Sequence, residues 1–272
     1  MRIRDAIYIG VYCCLAGLVF PVQAHAGAWP TDVGRGQVIS TTLFDNADKG
    51  FDDNGDLTRQ VHFNKSEGAV YWEHGLTEKT TMVIQTSYQD VEFRAGVDDV
   101  SFSGVGETYL GLRHLLWRNN KWVFSGQGGV LLAGAGETVA DADLGFGSTN
   151  YEARVLLGRS FKLAKRDGFL DLQAARRFRP DTDKGKYPDE WRVDATAGWR
   201  LNKHVQVLGQ GFYTASESEF EVARRNTRLK LQGSIVYDWS DKTSYQIGLY
   251  QTVAGRNIVK EKAFFISIWT RY

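Results

Sequence analysis

The sequence predicts an all-β protein, a transmembrane antiparallel up-and-down β-barrel of about twelve strands, and three observations carry that expectation. From near Gly34 to the last residue, apolar and polar side chains alternate in short segments, and a period of two belongs to strands. The connections between segments alternate strictly between short and long. Tryptophans gather beside the short connections, as amphipathic rings do at a membrane-water interface.

The chain has 272 residues, 43% hydrophobic and 24% charged, with a mean hydropathy of −0.34. Helical spans need about 20 predominantly apolar residues each, and the one apolar run of that kind is N-terminal. There Arg2 and Arg4 precede an apolar stretch from Ala6 to Val22, followed by the small-x-small cleavage signal Ala24-His25-Ala26. That order reads as a secretory signal peptide over residues 1–26, leaving 27–272 as a single barrel domain. Both cysteines, Cys13 and Cys14, leave with it. No thiol then remains for a disulfide, a metal site or a nucleophile. The formal net charge of +1 shows no basic excess, so no nucleic-acid partner is expected.

Taken along the chain, the strands differ in clarity. Trp191, Val193, Ala195, Ala197, Trp199 and Leu201 form one face, against Arg192, Asp194, Thr196, Gly198 and Arg200. Leu229, Leu231, Gly233, Ile235, Tyr237 and Trp239 repeat the pattern against Lys230, Gln232, Ser234 and Asp238. Tyr245, Ile247 and Leu249, and Trp122, Phe124, Val130 and Leu132, do the same. The stretches from Val38 to Phe44 and from Val205 to Tyr213 can be phased either way.

Short turns fall at Thr77-Glu78-Lys79, Arg118 to Lys121, Lys165 to Gly168, Asn202 to His204 and Ser240 to Lys242. Between them lie longer connections, at Asp45 to Asp56, Glu92 to Phe102, Gly134 to Ser148, Pro180 to Pro188, Glu217 to Arg225 and Ala254 to Glu261. Short turns at one rim and long loops at the other are how bacterial outer-membrane barrels are built, with the short turns periplasmic. Trp72, Trp117, Trp122, Trp199 and Trp239 lie within a few residues of a short turn, and Trp269 lies three from the end. All six are expected in one interfacial girdle.

At the C-terminus Phe264, Ile266, Ile268, Thr270 and Tyr272 alternate with Phe265, Ser267, Trp269 and Arg271, and the chain stops on an aromatic. This segment resembles the terminal strand of outer-membrane barrels, which the barrel-assembly machinery reads; Thr270 stands where an aromatic is frequent. The start, Gly27-Ala28-Trp29-Pro30 and Gly34-Arg35-Gly36-Gln37, is similar to that of porin- and transporter-like barrels associated with phenol-degradation gene clusters. The resemblance implies an outer-membrane location and assigns no substrate.

Parity places the polar faces in the lumen. The predicted inward charges are Glu152, Arg154, Asp171, Arg177, Arg192, Asp194, Arg200, Lys230 and Asp238, with Glu73 and Arg113 beside them. In a narrow aqueous pore such rows sort small solutes by charge and size. Gly126 to Gly129 and Gly209 to Gly211 put small residues at mid-strand, which suits the approach of another segment. The expected approaching segment is the connection from Gly134 to Ser148, with Glu137, Asp141 and Asp143 as an acidic constriction. Arg176, Arg177, Arg179, Arg224 and Arg225, at outer strand ends, are candidates to hold lipopolysaccharide phosphates. The acidic run Asp45, Asp48, Asp52, Asp53, Asn54, Gly55 and Asp56 carries calcium-type ligands, but its spacing is not that of an EF-hand loop. No metal or cofactor is therefore expected.

The function these features imply is a passive outer-membrane channel for small hydrophilic solutes. Three alternatives stand beside it: a poreless structural or lipopolysaccharide-interacting barrel, a transporter of hydrophobic or aromatic compounds, and a lipid hydrolase. The transporter would need an apolar inner tract, which Leu208, Phe212, Phe265 and Trp269 furnish if their strands are so phased. The hydrolase would need a serine beside a histidine. His62 and Ser66 are four apart, about 13 Å along a strand at the 3.3 Å rise, and His74, His114 and His204 fall near short turns. An enzyme is accordingly not expected.

Overall fold

A computed structural model describes residues 27–95, 98–138, 149–180, 188–216 and 225–272. Fifteen strands follow one another: β1 (Gly36–Phe51), β2 (Arg59–Gly75), β3 (Thr80–Ala95), β4 (Asp98–Val105), β5 (Thr108–Arg118), β6 (Trp122–Leu132), β7 (Ala135–Thr138), β8 (Asn150–Leu163), β9 (Arg166–Phe178), β10 (Glu190–Arg200), β11 (Val205–Ser216), β12 (Thr227–Asp238), β13 (Thr243–Arg256), β14 (Ile258–Val259) and β15 (Lys262–Arg271). Twelve of them make the wall, each pairing antiparallel with its neighbours, and β15 returns to β1 to close it. The other three are continuations past a break. β4 and β5 both pair with β3, β7 carries β6 on along β4, and β14 carries β15 along β1.

Closure pairs each of the twelve wall strands on both sides, as hydrocarbon requires. At the seam Gly36 and Tyr272 exchange both backbone hydrogen bonds at 3.1 Å. The Tyr272 hydroxyl lies 2.8 Å from the Trp72 indole nitrogen, which donates to it, and its ring stacks on His74 at 5.9 Å. The chain's final aromatic is thus tied across β1 to β2.

Burial is inverted relative to a soluble protein. Trp191 and Val193 are 45% and 46% exposed, whereas Arg192 and Asp194, which alternate with them, are buried. Leu231, Ile235, Tyr245, Ile247, Leu249, Phe264, Ile266 and Ile268 also face outward. Such an exterior is stable only against lipid.

The short turns share one chemistry. Thr77, Asn119, Asn202 and Ser240 each accept, on a side-chain oxygen, backbone N–H groups two and three residues on. These local bonds end one strand and start the next. The turn expected at Lys165 to Gly168 is tighter, with Ala164 and Lys165 both at positive φ between β8 and β9.

The other rim departs further from expectation. The connection expected from Glu92 to Phe102 is largely a β3–β4 hairpin, because Val91, Phe93 and Phe102 keep packing inward and the backbone keeps pairing. That expected from Ala254 to Glu261 narrows to Asn257 between β13 and β14, its left-handed φ of 51° giving the reversal. Trp269 is the clearest correction: it is fully buried in the lumen rather than in the girdle, since it shares parity with Phe265 and Ser267.

Candidate functional site: the barrel lumen

The inward faces divide into two unlike walls. Across β8 to β10 they carry Glu152, Arg154, Asp171, Arg177, Glu190, Arg192 and Asp194, all buried. Antiparallel register makes Glu152 and Arg177 direct partners and puts Gln173 opposite Asp194. Glu152 accepts from Arg154 Nη2 at 2.9 Å and from Arg177 Nη2 at 3.3 Å, with Arg192 Nη1 3.7 Å away. Arg154 also donates to Asp194 at 2.6 Å and to Gln173 at 2.7 Å. Arg177 reaches Glu107 at 3.1 Å, and Arg179 reaches Glu190 at 2.8 Å. Buried ions persist where partners and hydrogen bonds offset their lost hydration.

The rest of the lumen sets apolar clusters among buried neutral polar side chains such as Gln37, Thr41, Gln89, Gln210, Gln232 and Gln246. Ile39, Tyr71, Val83, Tyr109, Leu131, Leu208, Val236 and Trp269 form one inward cluster. Leu43, Tyr250, Ala263 and Phe265 form another, and Ala47, Phe63, Val91, Phe93, Phe102 and Val259 a third toward the long-loop rim. The two ambiguous stretches are therefore phased with Ile39, Leu43, Leu208 and Phe212 inside. A few charges interrupt this wall as close pairs: Glu73 with Arg113 at 2.9 Å, Lys65 with Glu67 at 2.9 Å and Lys230 with Glu261 at 2.6 Å.

The segment before β1 enters the lumen from the short-turn rim. Val33 bridges to Gly75, and Thr31 N donates to Thr81 Oγ1 at 2.9 Å. Ala28 then packs among Leu115, Val123 and Leu156, its N–H donating to Asp171 at 2.8 Å and its carbonyl accepting from Ser125. Trp29 meets Phe169 edge-on at 6.1 Å. Two glycines make room for this passage. A β-carbon at Gly158 would lie 2.6 Å from the Trp29 ring, and one at Gly75 would collide with the carbonyls of Thr31 and Asp32. The glycines expected to admit another segment do not do so: Gly126 and Gly129 face neighbouring strand residues and Gly209 faces open space, while the N-terminal segment passes over Gly75 and Gly158 instead.

Arg154, Asp171, Arg177, Arg192, Asp194 and Lys230 lie in the lumen, while Arg200 and Asp238 pair at 2.7 Å nearer the short-turn rim. Glu137, assigned to an inward-folded loop, continues the wall as part of β7, paired with Ser103, because strand pairing runs on past the break at Gly134. Asp141 and Asp143 lie outside the described residues. Arg177 and Arg179 point into the lumen instead of at headgroups, by the same parity that buries Glu190. Arg176 faces outward, stacked over Phe178 and Trp191 and bonded to Asp189 at 2.9 Å; Arg225 is exposed at the rim and Arg224 lies outside the described residues. Sequence reasoning missed Glu107 and Glu261. Both sit at strand breaks, where parity stops reporting which way a side chain points.

In the acidic first loop, Asp52 Oδ1 accepts from the N–H groups of Asn54 and Asp56 at 2.9 Å, and Oδ2 from Thr58. These bonds, the one from Asp56 foremost, hold its carboxyl below the usual carboxylate range. Among the described residues no cluster of metal-ligating side chains is formed. His62 and Ser66 are both exposed on β2, and the His62 ring faces Asn64 at 3.3 Å.

A family model described as a putative MetA-pathway of phenol degradation matches residues 30–268. No curated protein sequence matches the chain. The fold is similar to that of an outer-membrane channel from Pseudomonas putida F1, with a TM-score of 0.72 at 14% identity over 93% of this chain and 100% of that one. It is also similar to the translocator domain of the autotransporter NalP from Neisseria meningitidis, with a TM-score of 0.53 at 11% identity over 89% and 90%. A third likeness is to the NanC porin, with a TM-score of 0.50 at 8% identity over 86% and 98%.

Proposed function

We propose that this chain, which belongs to the family described as a putative MetA-pathway of phenol degradation, works as a non-enzymatic outer-membrane channel for small solutes with an apolar body and a polar group. The observation that carries this reading is the opposition of the two lumen walls. Phe212, Phe265 and Trp269 pack inside the same lumen as the arginines and carboxylates of β8 to β10, so a solute that parts them would meet an apolar tract for its ring and charged groups for its polar end. Phenolic compounds combine those two parts, in keeping with the family's description. Passive passage of hydrophilic solutes is the second reading. It rests on the density of charge around Glu152, which in a narrow pore sorts by charge and size.

Planar-bilayer recordings separate the two. Phenol in the bath is expected to interrupt the wild-type current more strongly than a pentose at equal concentration, and Phe212→Ala with Phe265→Ala to weaken that effect. Interruption by the sugar alone favours the hydrophilic channel, and silence with every salt makes the protein a filled structural barrel. Orientation has its own test. A cysteine at Asp53 should react with an impermeant reagent on intact cells and one at Asn119 should not, because the long loops face outside. On this reading the outward Arg176 and Arg225 would meet lipopolysaccharide phosphates, and β15 would be the strand that the assembly machinery reads.

A further inference from the structure

Asp171 is unlike the other lumen carboxylates of β8 to β10. Glu152, Glu190 and Asp194 each have a guanidinium within 4 Å. Asp171 is 3% exposed, yet among the described residues no cation lies within that distance. Its oxygens accept from Gln173 Nε2 at 2.6 Å and from the Ala28 N–H at 2.8 Å. The two arginines that act on it from further off, Arg113 and Arg154, are bonded to Glu73 and to Glu152 with Asp194. A buried carboxylate left without a counter-ion costs several kcal/mol.

What lies against that carboxylate is Gly27, where a β-carbon would be 2.9 Å from Asp171 Oδ2. Gly27 follows Ala24-His25-Ala26, the small-x-small signal. Hydrolysis of the Ala26–Gly27 bond consumes one water, leaves a carboxylate on Ala26, and leaves on Gly27 an α-amine that takes up a proton at neutral pH.

We propose that signal-peptide cleavage after Ala26 creates an ammonium group on Gly27 inside the lumen, and that Asp171 is built to bind it. Processing then does two things at once: it frees the protein from its export signal and supplies the missing cation that fastens the N-terminal segment across the pore. Gly27 suits the position because any side chain there would meet the carboxylate and the Trp29 ring. The latch lies in the half of the lumen near the short turns, and its release would uncover Leu115, Val123 and Leu156 to a passing solute. This inference rests on the outer-membrane reading above.

The test uses the exported gene product, purified from the outer-membrane fraction. Its first residue should be Gly27. At pH 7 an amine-acylating reagent should modify the Gly27 amine after the ε-amine of Lys162, whose side chain is 76% exposed, although a free α-amine is the less basic and faster of the two. In Asp171→Asn the Gly27 amine should react about tenfold faster or more, the loss of a charge-assisted bond, while the rim variant Asp167→Asn leaves it protected. A different first residue, or a Gly27 amine that reacts before Lys162 in the wild type, overturns the proposal even if Asp171→Asn does not fold. Equal rates in the wild type and Asp171→Asn overturn the role of Asp171. Absence of the protein from the outer membrane would instead overturn the reading on which the proposal rests.

Discussion

The wall formed by β8 to β10 and the wall formed by β1 to β3 with β11 to β13 and β15 belong to one barrel and follow one alternation, yet they are held together differently. The first is a network in which one carboxylate, Glu152, serves Arg154, Arg177 and Arg192. The second relies more on packing, with Ile39, Leu43, Tyr71, Phe265 and Trp269 almost without exposure among neutral polar neighbours such as Gln37, Thr41, Gln246 and Ser267. The contrast teaches that parity decides only which side chains enter the lumen. Whether they bind one another by charge or by contact depends on what register sets opposite them.

The sharpest way to break the contrast is to remove the hub. Glu152→Ala leaves its three arginines short of an acceptor, and breaking a buried pair by removing one partner costs about 3–5 kcal/mol. Urea unfolding in detergent, followed by heat-modifiable migration, should show a loss of that size. Glu152→Gln, which keeps the shape and some acceptor capacity, should lose less.

On the apolar wall, Leu208→Ala removes packing without stranding a charge, and the expected loss is about 2–5 kcal/mol, measured the same way. Because packing and charge are separate supports in this comparison, Leu208→Ala combined with Glu152→Ala should be close to additive. Strong coupling between them would show that the walls act as one.

A change in selectivity is expected where stability changes less. Neutralising Arg192 and Arg200 together leaves Glu152 with Arg154 and Arg177 but removes positive charge from the lumen. The reversal potential in a salt gradient should move toward cations. Neutralising exposed Arg225 should move it less, since water and salt screen that charge within about 8 Å at physiological ionic strength. Identical selectivity in the Arg192/Arg200 double variant would mean that ions do not pass along the charged wall.

The smallest effect belongs outside both walls, in the loop from Asp52 to Thr58. Asp52 is held below the usual carboxylate range by the Asp56 N–H and its neighbours, so its folded value lies under its unfolded one. The order it confers is present above the unfolded carboxylate value, about 3.9, and is lost as pH falls through the lower folded value. Protection of the Asn54 and Asp56 amides, taken relative to their intrinsic exchange rates, should therefore be present at neutral pH and fall only in strong acid, and Asp52→Ala should remove it at neutral pH.

Much of this molecule is legible before any coordinates. Clean alternation in β10, β12 and β13 assigns lipid and lumen faces residue by residue, because a strand has only two sides and one of them must satisfy hydrocarbon. Alternating connection lengths number the strands, and closure follows because an open edge has no partner in lipid. Glu152, Arg154, Asp171, Arg177, Arg192 and Asp194 are found by the same parity, whereas Glu190, at the first position of β10, is not.

Only the tertiary structure decides the rest. Val38 to Phe44 and Val205 to Tyr213 carry apolar residues on both faces, so periodicity is silent there, and pairing with β15, β10 and β12 sets Ile39, Leu43, Leu208 and Phe212 inside. Trp269 reads as an interfacial ring by its nearness to the end of the chain, but the phase of β15 turns it into the lumen. Glu107 and Glu261 sit where strands break and reach Arg177 and Lys230 through pairings no local pattern encodes. Gly75 and Gly158 look like ordinary strand glycines until the N-terminal segment is seen to pass over them. Alternation is a property of neighbours along the chain and survives in the sequence; register, breaks and the path of a segment through the lumen are relations between distant residues, and they exist only once the barrel has closed.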